Sequence, residues 1–165
     1  MIEKIISLIQ GEFPGINCKT VENSKQDILM IESQDILKVC VFLRDHKDLY
    51  FDFLSNITAV DYYPDNKFAL VYNLASLPFQ KQLTLRVELE VENRNLDNLP
   101  ELPSVSSVWK TAEWHEREAF DLMGVFFTEH PDLRRILLPD DWQGFPLRKD
   151  YQDADSYHGI SIKGE

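Results

Sequence analysis

Four carboxylates lie within the nine-residue stretch from Glu113 to Asp121 and are the first candidates for chemistry. Such groups can exchange protons with a substrate, so Glu116, Glu118 and Asp121 would form the acid–base site of a free-standing enzyme. The same stretch places Glu113, Arg117 and Asp121 at intervals of four residues, which is typical of an ion-pair row on a helix surface. Because no nucleophile or histidine partner lies at a diagnostic spacing, we favour the ion-pair row and keep the enzyme as the alternative.

The motifs that hold metals and redox cofactors are incomplete in this sequence. His115-Glu116 begins like a metalloprotease HExxH motif, but the fourth residue after His115 is Ala119. Cys18 and Cys40 are two isolated thiols, whereas an iron–sulfur cluster normally takes about four. The six glycines stand singly, so neither GxGxxG nor a Walker loop is present. We therefore expect this chain to bind no metal, flavin, iron–sulfur cluster or nicotinamide by itself.

A helix must position the four carboxylates, and its ends can be predicted. Thr111 is the expected N-cap, and the helix runs to about Met123 with Gly124 as its terminator. Trp114 and Phe120 flank the charged row on this helix. Large aromatics beside charges are typical of interface cores, but they also fit a second core face that is covered by the chain's own loops. The sequence leaves both interpretations open.

The segment after this helix combines charged residues with an apolar run. His130 or Asp132 could cap a helical turn that starts at the intervening proline. Arg134 and Arg135 could grip carboxylates bidentately, or they could be a solvated basic pair. The apolar residues 136–138 beside them indicate that the segment is packed, which favours a role in an interface.

Two further helices and three strands are predicted from periodicity. Ile2 begins a short helix that stops near Gly11, and a second helix follows Ser33 as its N-cap. The second helix has one apolar stripe, which consists of Ile36, Val39, Cys40 and Leu43. Alternating apolar and polar residues predict strands over residues 53–63, 68–74 and 83–91, with a turn at 64–66.

These elements predict an α+β fold: an antiparallel or mixed sheet with helices packed on one face, plus an extended irregular C-terminal arm. The α+β domain covers residues 1–138, and the Pro-rich stretch 99–103 is a connector that closes its strand unit. Residues 139–165 show no sustained period, yet they include Trp142 and Phe145. We expect this arm to bury its aromatics on a partner protein.

The formal net charge of −11 argues against several partner classes. An acidic chain repels the phosphates of nucleic acids and of anionic lipids, so we expect neither nucleic-acid binding nor direct membrane insertion. The longest apolar run, Val39–Leu43, is too short to span a bilayer, and the N-terminus lacks a signal-peptide pattern. We expect a cytoplasmic chain with reduced cysteines that reaches a membrane only through a partner.

Three motifs in the second half of the chain resemble those of one known family. They are EREAFDLMG at 116–124, HPDLRRILLP at 130–139 and GFPLRKDY at 144–151. Their combination closely resembles the family of the C-type subunit of proton-pumping NADH-quinone oxidoreductase, respiratory complex I. The resemblance covers roughly Trp114 to Tyr151. Glu129 before His-Pro and Gln152 after Tyr151 depart from the usual family pattern at two local turns.

The resemblance implies a non-catalytic, hydrophilic subunit of the peripheral arm that packs on the homologue of the D-type subunit near the quinone-reducing end. It would support electron transfer from NADH to quinone coupled to proton translocation, on the cytoplasmic side of the cell inner membrane. Flavin, iron–sulfur clusters, NADH and quinone would then belong to partner subunits. Membrane-bound hydrogenases and plastoquinone-linked dehydrogenases have subunits with the same pattern, so the electron donor stays open.

The candidates for partner contact are charged and aromatic residues within these motifs or close to them. Arg and Trp are chosen in particular because they are enriched among residues that dominate binding energies. The candidates are Trp114, Arg117, Glu118, Asp121, His130, Asp132, Arg134, Arg135, Trp142 and Arg148.

A first prediction concerns the C-terminal arm, residues 139–165. Because it has aromatics but no periodicity, we expect it to be mobile in the isolated chain and to become ordered on its partner. Limited proteolysis of the free chain should therefore cleave the arm before the rest. Resistance of the arm equal to that of residues 1–138 would contradict this prediction.

Overall fold

A five-stranded mixed sheet with helices against one face carries the fold in the computed structural model, which describes residues 1–21, 26–91, 94 and 96–162. The helices are α1 (Ile2–Glu12), α2 (Ile36–Asp45) and α3 (Ala112–Met123). The strands are β1 (Lys19–Thr20), β2 (Ile28–Met30), β3 (Phe53–Asp61), β4 (Lys67–Ser76), β5 (Lys81–Glu90), β6 (Glu101–Pro103), β7 (Phe126–Thr128), β8 (Ser156–Tyr157) and β9 (Ile160–Ser161). The predicted α+β class is confirmed.

The central sheet has the strand order β1-β2-β5-β4-β3. Strands β3, β4 and β5, all three predicted from the sequence, form an antiparallel meander, in which Asp61 lies opposite Phe68 and Phe68 opposite Leu89. Strand β2 pairs parallel with β5, which makes the sheet mixed. Strands β1 and β2 were not predicted, because strands of two and three residues are too short to show a period.

The first two helices bury the apolar stripes that the sequence predicted. Ile5 and Ile9 of α1 are buried, and so is the whole stripe of α2. Ser33 is not the N-cap of α2, because residues 33–35 form a separate 3-10 turn and α2 begins at Ile36. Cys40, on the buried stripe, is a free thiol, as is Cys18. None of the helices in the described ranges is long and apolar enough to cross a membrane.

Helix α3 begins after Thr111 and ends at Gly124, as predicted, but Thr111 does not make the expected capping hydrogen bond. Gly124 adopts the left-handed conformation (φ 66°, ψ 45°) that terminates the helix. Thr111 precedes the helix, but its side chain does not cap it; the hydroxyl donates a hydrogen bond to the Leu54 carbonyl at 3.4 Å. Thr111 therefore ties the start of α3 to strand β3.

The predicted connector at 99–103 contains a strand. Residues Glu101–Pro103 form β6, which pairs parallel with β7, and Leu102 lies opposite Phe127. Both of these apolar side chains are buried. The prediction was wrong on this point because the partner strand lies more than twenty residues away, and the two prolines hide the pattern locally.

The first part of the predicted arm lies on the domain within this single chain, contrary to the prediction that it becomes ordered only on a partner. Phe145 and Arg148 are buried although the surrounding segment has no helix or strand. Farther along, β8 and β9 form a short antiparallel hairpin that periodicity did not predict. Residues 163–165 of the arm lie outside the described residues, and the boundary at residue 138 stays a prediction.

Gly124 provides a test of how tightly the arm packs. A Cβ at this position would lie 2.5 Å from the Arg148 guanidinium and 2.5 Å from the Phe145 ring, and its φ is positive. We expect Gly124→Ala to lower the free energy of unfolding by about 3 kcal/mol, as measured by urea denaturation. In Gly11→Ala the added Cβ meets nothing within 4 Å, so this control should change stability by less than about 1 kcal/mol. Equal effects of the two substitutions would contradict the close packing.

Candidate functional site

Helix α3 is the platform on which the charged segment after β7 is fixed. Arg117 donates hydrogen bonds to the backbone carbonyls of Arg134 at 3.1 Å and Arg135 at 3.0 Å. Its guanidinium also lies 5.5 Å from the centre of the Trp114 ring. Arg117 is nearly buried. Its long side chain therefore serves to hold the backbone of residues 134–135 and to pack on the Trp114 ring, instead of pointing into solvent.

Asp121 is the main attachment point of that segment. Its Oδ2 accepts hydrogen bonds from three successive backbone N–H groups, those of Ile136 (3.0 Å), Leu137 (2.7 Å) and Leu138 (2.9 Å). Its Oδ1 accepts one from Arg135 at 2.7 Å. Burial opposes ionisation of this carboxyl, but these hydrogen bonds outweigh it and hold the pKa of Asp121 below its usual range.

Arg135 extends the attachment toward the C-terminal arm. Besides Asp121, it donates to the backbone carbonyls of Trp142 at 3.0 Å and Gly144 at 3.1 Å. The predicted ion-pair row on α3 is therefore wrong. Asp121 pairs with Arg135, and Glu113 pairs with Lys110 at 2.8 Å. The four-residue spacing predicted partners within the helix, but the loop after β7 packs on α3 and supplies the partners of Arg117 and Asp121 instead.

His130 fixes the start of the same segment. The Asp132 N–H donates to its Nδ1 at 3.0 Å, so Nδ1 is an acceptor and the hydrogen lies on Nε2. Nε2 then donates to the Glu113 carbonyl at 3.1 Å. The His130 ring has no exposed surface. His130 thus acts within the chain, as the predicted cap of the turn at Asp132.

A second ionic cluster fixes the arm near the end of β3. Arg148 donates to the carbonyls of Met123 (2.8 Å) and Gly124 (3.1 Å), which are left free where α3 ends. Asp61 is buried and accepts hydrogen bonds from the Lys149 N–H at 2.8 Å and from Arg94. Burial, with Arg94 close by, lowers the pKa of the Arg148 guanidinium. The arm is thus held by buried charges rather than by secondary structure.

The ten predicted contact residues separate into two groups by exposure. The side chains of Asp121 and His130 are fully buried, Arg117 and Arg148 are nearly so, and Arg135 and Trp142 are partly covered. Trp114, Glu118, Asp132 and Arg134 are exposed. The buried members act inside the chain in this structure, and contact with a partner stays a prediction for the exposed ones.

Two exposed leucines belong to the same surface and were missed by the sequence analysis. Leu137 is 64% exposed and Leu147 is 58% exposed, close to the 61% of Trp114. Leu137 donates its N–H to Asp121, and Leu147 donates its N–H to the Leu122 carbonyl at 3.0 Å, so both lie against α3. We call Trp114, Glu118, Leu137 and Leu147 the α3 surface. Leu137 belongs to the apolar run 136–138, which predicted packing, and no spacing in the sequence singled out Leu147.

The carboxylates proposed for acid–base catalysis do not converge on one point. Glu116 is buried and bonds to the Ser104 hydroxyl at 2.6 Å and the Val105 N–H at 2.7 Å. Asp121 is saturated by its donors on another side of the helix, and Glu118 is exposed. No common position for a reacting atom exists among them, so the geometry does not support the acid–base alternative.

A comparison with family profiles decides the relationship of the chain. The profile described as "Respiratory-chain NADH dehydrogenase, 30 Kd subunit" matches residues 29–157. The chain belongs to this family. The resemblance seen in the three sequence motifs is therefore confirmed, and the match contains α3 with both segments that pack on it. Membership of a complex I family implies that the chain works together with partner subunits.

Individual relatives are named as the C-type subunit of NADH-quinone oxidoreductase. The protein of Chlorobium phaeobacteroides is 47% identical over 124 residues, which cover 75% of this chain and 72% of the relative. That of Moorella thermoacetica is 38% identical over 151 residues, covering 92% of this chain and 95% of the relative. That of Chloroherpeton thalassium is 45% identical over 162 residues, covering 97% of this chain but only 65% of the relative.

A solved structure has the same fold. It is a chain from the membrane-bound sulfane sulfur reductase, an archaeal respiratory membrane complex, with a TM-score of 0.70 and 26% sequence identity. The similarity covers 91% of this chain and 85% of that chain. The family fold therefore also occurs in a respiratory complex whose name does not include NADH.

The Asp121 attachment predicts a pH-dependent stability. Because the folded-state pKa is lowered, its stabilisation is fully present above the ordinary aspartate pKa and is lost as pH falls through the folded value. We expect Asp121→Asn to cost about 3 kcal/mol at neutral pH, with a smaller difference from the unsubstituted chain in acid. Urea unfolding at several pH values measures this.

Asp132→Asn is the matched control, because Asp132 is exposed and its pair with Arg134 lies in solvent. We expect this control to leave stability nearly unchanged. An equal loss in both variants, or a loss in Asp121→Asn that does not vary with pH, would contradict the role of the buried carboxylate.

Proposed function

We propose that the chain is a peripheral-arm subunit of a respiratory NADH-quinone oxidoreductase that docks on the homologue of the D-type subunit through the α3 surface. The observation that carries this proposal is the exposure of Trp114, Leu137 and Leu147 within the segments that match the family. Large apolar side chains that stay exposed on an otherwise well-packed element mark contact sites. Glu118 adds a charged contact at the same surface.

The buried ionic contacts make this surface a preformed one. Asp121 holds the loop that carries Leu137, while Arg148 and the Leu122 carbonyl hold the segment that carries Leu147. A surface that is ordered before binding loses less conformational entropy when a partner docks. This supports a scaffolding role, in which the chain presents a rigid face to its neighbour.

The chemistry of the complex is proposed to lie in other subunits. In this proposal flavin, iron–sulfur clusters, NADH and quinone bind to partners, and the assembled enzyme couples electron transfer from NADH to quinone to proton translocation. The chain would sit peripherally on the cytoplasmic side of the inner membrane. This assignment is supported by the family match and by the relatives from NADH-quinone oxidoreductases.

A second candidate is the same docking role in a related membrane-bound complex with another electron donor. The observation that favours it is the similarity to a chain of the archaeal sulfane sulfur reductase complex. Purifying the complex from native membranes through a tag on this chain separates the candidates. NADH-quinone activity supports the first, and activity with a different donor supports the second.

Trp114→Ala tests the docking surface. Because Trp114 is mostly exposed, the isolated chain should lose at most about 1 kcal/mol of stability, from the contact with Arg117. Loss of a central aromatic contact, in contrast, typically weakens binding at least about tenfold. We therefore expect recovery of the intact complex, and its membrane NADH-quinone activity, to fall about tenfold or more.

Phe79→Ala is the matched control. Phe79 is an exposed aromatic in the turn between β4 and β5, outside the α3 surface. This variant should assemble normally. Normal assembly of Trp114→Ala, or equal defects in both variants, would remove the α3 surface from the proposal.

A further inference from the structure

Glu116 is a carboxyl group that the proposed docking role does not use. Its side chain has no exposed surface, and in the described part of the chain no lysine or arginine pairs with it. Its hydrogen-bond partners are uncharged: the Ser104 hydroxyl on Oε2 and the Val105 N–H on Oε1. Burying a carboxylate without a cation costs free energy, so burial favours the protonated, neutral form of Glu116.

The groups that face Glu116 come from several elements. Cys40 of α2 and Tyr72 of β4 are both buried, and burial followed by the nearby Glu116 raises the pKa of each. Both therefore stay neutral wherever Glu116 changes its charge. His130 lies 3.8 Å from Glu116 Oε2 and directs its Nε2 hydrogen to the Glu113 carbonyl. Glu113 is one helical turn away on α3 and adds a negative charge.

Two hydroxyl groups lead from Glu116 to Ser106, the residue before the exposed Ser107. Ser104 Oγ lies 2.6 Å from Glu116 Oε2 and 2.7 Å from Ser106 Oγ. Ser106 is nearly buried, but Ser107 beside it is exposed. When Glu116 is ionised, Ser104 donates to it and Ser106 can donate to Ser104. When Glu116 carries a proton, Glu116 can donate to Ser104 and Ser104 to Ser106. The same heavy-atom positions thus fit both states.

We propose that Glu116 is a proton-binding site of this chain, enclosed by α2, β4 and the turn after β6 and joined by hydrogen bonds through Ser104 to Ser106. One proton enters at Ser106, each hydroxyl passes its own hydrogen on, and the last one bonds to Glu116 Oε2. No heavy atom has to move, and the net change is one proton bound. The site goes beyond the docking role, and its test does not depend on assembly.

The expected pH dependence follows from this site. Burial raises the pKa of Glu116 from its ordinary 4.5 to about 7, against the opposing hydrogen bonds from Ser104 and Val105. Between these values the folded chain holds a proton that the unfolded chain has lost, so stability falls as pH rises. Asp121, which holds the loop after β7, and Asp150, which accepts hydrogen bonds from Arg94, have lowered pKa values and titrate at more acidic pH.

Glu116→Gln, which keeps the shape without a titrating group, tests the proposal on the full chain. Between about pH 5 and about pH 8 the folding equilibrium constant of the unsubstituted chain should fall relative to that of Glu116→Gln on the order of a hundredfold. Glu3→Gln, at an exposed position on α1, is the control and should follow the unsubstituted chain. A difference between the chain and Glu116→Gln that is constant with pH would overturn the proposal.

Two further measurements do not depend on the folding of Glu116→Gln. Ser104→Ala removes the hydroxyl that stabilises the ionised carboxyl, so the loss of stability should shift to higher pH. A carbon-13 NMR titration of the Glu116 carboxyl should show protonation near neutral pH. Titration at or below the ordinary glutamate value, or an unmoved profile in Ser104→Ala, would refute the site.

Discussion

The carboxylate of Asp121 is the contact on which the course of the chain after α3 depends. Burying this charge is costly in itself, and three backbone N–H groups and Arg135 together offset the cost. Charge-assisted hydrogen bonds of this kind are roughly twice as strong as neutral ones. Because the donors are consecutive amides, a single side chain fixes the backbone of residues 136–138 without helix or strand.

Arg135 and Arg148 fix the backbone of the C-terminal arm in a similar way. Arg135 bonds to the carbonyls of Trp142 and Gly144, and Arg148 bonds to those of Met123 and Gly124. The carbonyls at the end of a helix are unpaired and carry partial negative charge, so a buried guanidinium is well placed there. The arm therefore lies on the domain because arginines satisfy backbone acceptors, not because the arm has its own periodic core.

This use of charge limits which residues are available to the proposed docking surface. Asp121, Arg135 and Arg148 are charged residues of the kind expected at an interface. Their side chains, however, already form hydrogen bonds within the chain. What remains for a partner is a smaller set of exposed side chains, led by Trp114 and Leu137. Substitutions at the buried charges would disturb assembly through loss of the surface's shape, whereas substitutions at Trp114 would act on binding itself.

The sequence by itself determined the meander β3–β4–β5, the apolar stripes of α1 and α2 and the end of α3 at Gly124. Each of these follows from a local rule of spacing or backbone conformation. Family membership was also accessible, because its motifs lie in continuous stretches. Only the tertiary structure decided the pairing of β6 with β7, the partners of Arg117 and Asp121, and the burial of Glu116. Those features depend on which distant backbone groups reach a side chain, and residue spacing along one helix carries no information about a loop that packs over it.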